Sequence, residues 1–121
     1  MSENSTPPAF PGGEKRMLEF LAANIRYPGA ARQNNIQGTA VLTFVVEKNG
    51  AISNITIVKN VGGGCSQEAA RVVGLMPNWM PGMADGVPVR VRYTLPIRFK
   101  LEGSGKKGGK KWWQRDSLFG N

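Results

Sequence analysis

Histidine is absent from the 121 residues, and cysteine occurs once, at Cys65. No Ser/His/Asp relay, Cys/His couple or Cys/His zinc site can be assembled from that set, and an intramolecular disulfide is excluded. Eight carboxylates scattered along the chain form no acid–base constellation. The sequence therefore predicts a protein that is not an enzyme and holds no metal or cofactor. What remains is binding chemistry, concentrated near the C-terminal end. There Val89, Val91, Tyr93, Leu95, Ile97, Phe99 and Leu101 alternate with Arg90, Arg92, Thr94, Pro96, Arg98 and Lys100. On a pleated strand this spacing sets an apolar face against a cationic one. Pro96 lacks a backbone donor, so it places the strand at a sheet edge or a bulge, and outward charges are the usual guard of such an edge. An open edge offers unpaired N–H and C=O groups to an extended peptide. Backbone pairing supplies affinity with loose sequence demands. The four cations can attract acidic groups, adding on-rate that salt weakens, or they can be an ordinary solvated face.

Other features carry weaker chemistry. Cys65 follows Gly62-Gly63-Gly64 at a helix start, which can lower a thiol pKa, but no base lies nearby. The three glycines lack the G-x-x-x-x-G-K-[ST] pattern of a phosphate cradle and read as a loop. Trp79 reads as a plug at the end of the core, its N–H bonded to a nearby carbonyl or to water.

The elements that must position the long strand are legible around it. The organising stretch is 38–59, two β-rich runs about Asn49-Gly50, a strong hairpin signal that points to a type I′ turn. Ala40, Leu42, Phe44 and Val46 share one face. Ile52 starts the second run in one phase, and Ile55 and Ile57 resume in the other, so a bulge is expected near Ser53-Asn54. An isolated hairpin is marginal in water and needs a third strand and a helical cover. Met17, Leu18, Leu21, Ala22 and Ile25 form a helical stripe over Glu14 to Ile25. Pro28 ends that pattern and opens a short second helix at its first position. Ser66 is the expected N-cap of a third helix with Ala69, Val72, Val73 and Met76 on its apolar face, stopped by Pro77. Residues 78–87 read as a compact loop with turns at Pro81-Gly82 and Asp85-Gly86. The fold class is α+β: a three-stranded antiparallel sheet with two main helices packed on one face.

Three regions follow. Residues 1–13 read as a flexible lead-in, residues 14–102 as the domain, and residues 103–121 as a flexible basic Lys/Trp tail. The net charge is +8, and the tail holds five basic residues and one acidic one, so half of the excess lies there. No apolar run approaches the roughly 20 residues that span a bilayer, and no signal peptide opens the chain.

With these residues placed, the chain resembles the C-terminal domain of TonB-family energy transducers, most of all the versions found in the Bacteroidetes. Tyr27-Pro28 with Ala31, Ile36 and Gly38 matches its opening motif. Phe44-Val45-Val46, Asn49-Gly50 and Ile52 match its hairpin, and Glu68–Val73 its helix. Met76-Pro77-Asn78-Trp79-Met80-Pro81-Gly82 and Val91–Phe99 match its last turn and strand. The match covers about Phe10 to Leu101. The resemblance implies a periplasmic domain held to the inner membrane by an N-terminal anchor that this chain lacks. Through that segment the proton-driven ExbB–ExbD complex energises the transducer. The domain grips the Ton box, a short extended segment of outer-membrane receptors, as a strand added beside its last strand, for nutrient uptake such as siderophore import. Partner-binding residues carried over on that basis are Asn24, Arg26 and Tyr27 before the Tyr-Pro motif, and Arg90, Val91, Arg92, Tyr93, Thr94, Leu95, Ile97, Arg98 and Lys100. A homodimer through the same edge is a related reading, no nucleic-acid partner is expected, and the membrane is reached only through the anchor. The alternative is a basic binding module whose Lys/Trp tail contacts an anionic polymer or a membrane surface. A third reading makes the domain a scaffold in another envelope machine.

Overall fold

The computed structural model describes residues 5–101. The elements in chain order are α1 (Glu14–Asn24), α2 (Gly29–Gln33), β1 (Gly38–Val46), β2 (Ile52–Lys59), α3 (Cys65–Val73), β3 (Gly82–Ala84), β4 (Val87–Val89) and β5 (Val91–Phe99). β2, β1 and β5 form one antiparallel sheet in that spatial order, and β3 and β4 form a separate hairpin. The α+β architecture expected from the sequence is the one observed.

The core sits on one face of the large sheet. Ala40, Leu42, Phe44 and Val46 of β1 and Leu95, Ile97 and Phe99 of β5 are buried against Met17 and Leu21 of α1 and Ala69, Val72 and Val73 of α3. Strict alternation on β1 and β5 sends every second side chain to this face, and helical spacing does the same on α1 and α3. Burying a side chain of this size stabilises the fold by about 2 kcal/mol, so these few elements hold the sheet together.

The hairpin turn differs from the expected type. Gly50 alone takes a positive φ, 90°, and Asn49 does not. Gly50 N–H donates to the Glu47 carbonyl at 2.8 Å, and Glu47 N–H to the Ala51 carbonyl at 2.8 Å. This is a three-residue loop, a type I turn followed by a left-handed glycine, rather than type I′. Gly50 is also fixed by contact: its carbonyl accepts from Trp79 N–H at 2.8 Å, and a Cβ there would lie 2.0 Å from the Trp79 carbonyl oxygen.

The expected bulge is present. The register passes from Val45↔Ser53 to Thr43↔Thr56, and Asn54 sits at φ 52°. A second shift, from Leu42↔Ile57 to Val41↔Lys59, left no signal in the apolar pattern.

Smaller corrections follow the chain. Pro28 is the N-cap of α2, in extended conformation, rather than its first helical residue. Gly64 is the N-cap of α3. Ser66 lies inside that helix, fully buried, and its Oγ accepts from Val61 N–H at 2.8 Å. α3 ends at Val73 with Gly74 as C-cap, before Pro77 is reached. The loop over residues 78–87 contains the β3–β4 hairpin. Its turn at Asp85-Gly86 has positive φ at both residues, 53° and 81°, the backbone that Asn49-Gly50 does not adopt. Gly82 belongs to β3 rather than to a turn.

The lead-in also departs from expectation. Thr6 pairs with Met83 and Ala9 with Met80, and Phe10 is buried in the core. Trp79 is 3% exposed and plugs the core as expected, with ring centroids 5.3 Å from Phe44 and 4.9 Å from Tyr93. Its Nε1 meets no acceptor among the described residues. The Lys/Trp tail, and the binding reading placed on it, lie outside the described residues.

Candidate functional site

β5 pairs with β1 over nine consecutive positions, from Gly38↔Phe99 to Val46↔Val91, with no register shift. Among the described residues no strand lies on its other side. In an antiparallel ladder, residues alternate between turning both backbone groups toward the partner and turning both away. Pro96, opposite Val41, has no donor and suits an outward position. Leu101 N–H donates at 2.8 Å to Oε1 of Gln37, the residue that precedes β1, so the odd-numbered amides face β1. Arg92, Thr94 and Arg98 therefore turn N–H and C=O outward, and Pro96 turns its C=O outward.

The side chains divide as the alternation predicts. Leu95 and Ile97 are buried in the core, so only their backbone belongs to the strand's ladder. Arg92 and Thr94 are exposed, and Arg98 is half-buried. Lys100 is exposed just beyond the end of β5. Val91 packs over Gly82, where a Cβ would come within 2.7 Å of its Cγ2. Tyr93 meets Trp79 edge-on and lies tilted against Phe44, with centroids 4.9 and 5.5 Å away. Burial, with Glu14 adding a smaller effect, raises its phenol pKa.

Arg90 departs from the cationic face. It is the break between β4 and β5, not a strand residue, and its guanidinium donates to both Glu47 carboxylate oxygens, at 2.7 and 3.2 Å. Ser53 Oγ donates to the same carboxylate. Arg90, with Ser53 second, holds the Glu47 carboxyl down at about 2. This pair ties the β1–β2 hairpin to the start of β5. Arg90 is engaged inside the molecule, and the attracting cations that remain are Arg92, Arg98 and Lys100.

Asn24, Arg26 and Tyr27 lie at the opposite end of β5. Tyr27 sets its ring edge-on to Phe99 with centroids 5.6 Å apart, and its hydroxyl donates to the Ile36 carbonyl. Burial, followed by the nearby Cys65, pushes the Tyr27 phenol up to about 12. The structure thus places this linker beside the last residue of β5, as a brace. Two residues of α3 fasten it, and sequence reasoning missed both. Glu68 accepts from Arg26 N–H at 2.9 Å, and Arg71 donates to the Asn24 carbonyl at 3.0 Å. Glu68 and Arg71 also bind each other at 2.7 Å, and mainly for that reason the Glu68 pKa is lowered. Their i, i+3 spacing was the available signal. Cys65 is fully buried, and burial raises its thiol pKa, against a reactive role.

Comparison with known proteins agrees with this geometry. The family model for the Gram-negative bacterial TonB protein C-terminal matches residues 23–101. Protein TonB of Vibrio cholerae is 33% identical over 90 residues, which cover 74% of this chain and 37% of that protein. The chain thus spans little more than a third of that curated relative. Two solution structures of the Helicobacter pylori TonB C-terminal domain share the fold. One has a TM-score of 0.55 at 22% identity, covering 76% of this chain and 87% of that one. The other has a TM-score of 0.52 at 20% identity, covering 71% and 90%. With the motifs in order, the match across residues 23–101 and the shared fold, this chain belongs to the family of TonB protein C-terminal domains.

Proposed function

We propose that this domain binds the Ton box of outer-membrane receptors by strand addition at β5 and passes on a pull generated by ExbB–ExbD for nutrient uptake. The observation that carries this reading is the outer edge of β5, nine residues long and without a bulge, on which no strand lies among the described residues. An edge so regular is otherwise a liability, and proteins usually blunt it. The outward N–H and C=O groups of Arg92, Thr94 and Arg98, with the Pro96 carbonyl, supply the pairing. Arg92, Arg98 and Lys100 draw in acidic groups beside the docked segment. Tyr27 holds the Phe99 end in place, with Asn24 and Arg26 alongside. Strand addition suits a mechanical role because several hydrogen bonds share a load in shear. The domain works on the periplasmic side of the inner membrane, tethered by an N-terminal anchor.

Titration of labelled protein with a synthetic Ton-box peptide tests this. Amide signals of Val91–Phe99 should shift, with smaller shifts at Asn24–Tyr27. Shifts confined to residues 103–121, with β5 silent, would overturn the reading. Self-association through the same edge predicts shifts along β5 on concentrating the protein without peptide.

A further inference from the structure

Residues 6–10 form an extended strap along β3. Thr6 and Met83 exchange two backbone hydrogen bonds, each 2.9 Å, and Ala9 and Met80 exchange two more, at 3.0 and 2.8 Å. Pro7 and Pro8 between them have no N–H to donate. Phe10 follows, 7% exposed, with its ring 5.7 Å from Phe20 and 5.9 Å from Trp79. Trp79 in turn touches Tyr93 of β5. Gly82 lies under the strap: a Cβ there would lie 3.4 Å from Pro8 Cδ and from the Thr6 carbonyl, and 2.7 Å from Val91. Strap, β3 and the first residues of β5 are thus one packed stack. Gly12 and Gly13, at φ 86° and 90°, turn the chain from the strap into α1, with Gly13 N–H donating to the Phe10 carbonyl at 2.7 Å.

We propose that this strap is a force-releasable clasp that regulates grip at the start of β5. The proposal rests on the load-bearing reading above, in which the pull arrives from the N-terminal side. Such a pull reaches Thr6–Phe10 before it reaches α1. The clasp holds by four backbone hydrogen bonds, whereas β5 offers a docked strand the N–H and C=O groups of three residues and one further carbonyl. The clasp yields first. Phe10 then leaves Trp79, the packing behind Val91 and Tyr93 loosens, and the docked segment is let go. The strap caps the tension the receptor feels.

Two measurements on the free protein test this without any receptor peptide. In amide hydrogen exchange, Phe10→Ala should speed exchange at Val91 and Tyr93 by about tenfold and leave Leu95–Phe99 unchanged. A uniform change along β5, or none, would overturn the proposal. In single-molecule pulling between the N-terminus and Lys100, a short first step should precede global unfolding: the eight residues 6–13 at about 3.5 Å each give at most about 3 nm of contour, less the span they already cover when folded. It should come at a lower force in Phe10→Ala, which keeps the four backbone bonds and removes only the ring. One unfolding event with no earlier step would overturn the clasp. A failed Ton-box titration with the early step present would instead remove the receptor reading and leave the clasp standing.

Discussion

β2 and β5 flank the same central strand, yet they end the sheet in opposite ways. β2 slips register twice against β1, places Asn54 in the left-handed region, and leaves Val58 60% exposed. β5 runs nine pairs without a slip. Because β1 is common to both, the difference lies in the outer strands. Ser53-Asn54 supplies a residue that tolerates positive φ, and an extra residue of this kind bends a strand and increases its local twist. In β5 the apolar and polar residues alternate without interruption, and Pro96 gives up only an outward donor. One edge is disabled and the other kept regular, which is what a sheet needs if it is to accept a guest on one side only.

The comparison can be broken most severely at Gly50. Gly50→Ala drives a methyl into the Trp79 carbonyl and forces a side chain onto a φ of 90°. We expect a loss of about 3 kcal/mol and a fall in Tm of more than about 10 °C in thermal denaturation. Both edges should suffer together, since Trp79 backs Tyr93. A loss below about 1 kcal/mol would mean that the hairpin and β5 are not coupled.

Proline placed at alternate positions sharpens the contrast within β5. Thr94→Pro removes an outward donor only, so the fold should persist while Ton-box peptide binding weakens by about 1 kcal/mol, roughly fivefold in Kd by calorimetry. Leu95→Pro is its control, because that amide faces β1 and its loss should unfold the strand. Equal unfolding by both would show that the alternation is misassigned.

Deleting Asn54 should convert the disabled edge. Ile52, Ile55 and Ile57 then fall into simple alternation, so the core face survives and the first bulge disappears. Stability should change by less than about 1 kcal/mol, while sedimentation shows new self-association through a straightened β2. A monomer with a regular β2 would mean that the second register shift alone suffices.

The smallest effect is that of pH. The Glu47 carboxyl titrates near 4.5 when free and is held down at about 2 by Arg90 and Ser53. Its folded value is depressed, so its contribution is present above about pH 4.5 and is lost as pH falls toward 2. Glu47→Gln should flatten that limb of the stability curve slightly, because the pair is solvent-screened. An unchanged acid limb would show that the tie between the two edges contributes nothing measurable.

Much of this contrast could be read from the residues alone. Period-two alternation identified β1 and β5, the phase slip between Ile52 and Ile55 placed the first bulge, and Pro96 put β5 at an edge. Signals that depend on tertiary contact were not legible. The three-residue turn at Asn49-Gly50 comes with Trp79 docked on Gly50, a contact that local sequence does not encode. The strap at Thr6–Phe10 was hidden by its prolines, which argue against regular structure yet permit an extended chain paired only at Thr6 and Ala9. Arg90 looked like one more cation on a strand face, and only the return of the hairpin to Glu47 shows that it is engaged.

Hydrogen exchange of the even-numbered β5 amides tests the central claim most directly. In the free protein Arg92, Thr94 and Arg98 should exchange quickly while Val91, Tyr93, Leu95 and Ile97, bonded to β1, exchange slowly. Saturating Ton-box peptide should slow the first group by at least about tenfold and leave the second unchanged. If the even-numbered amides are already protected in the free protein, or stay fast when the peptide is bound, β5 does not receive a strand.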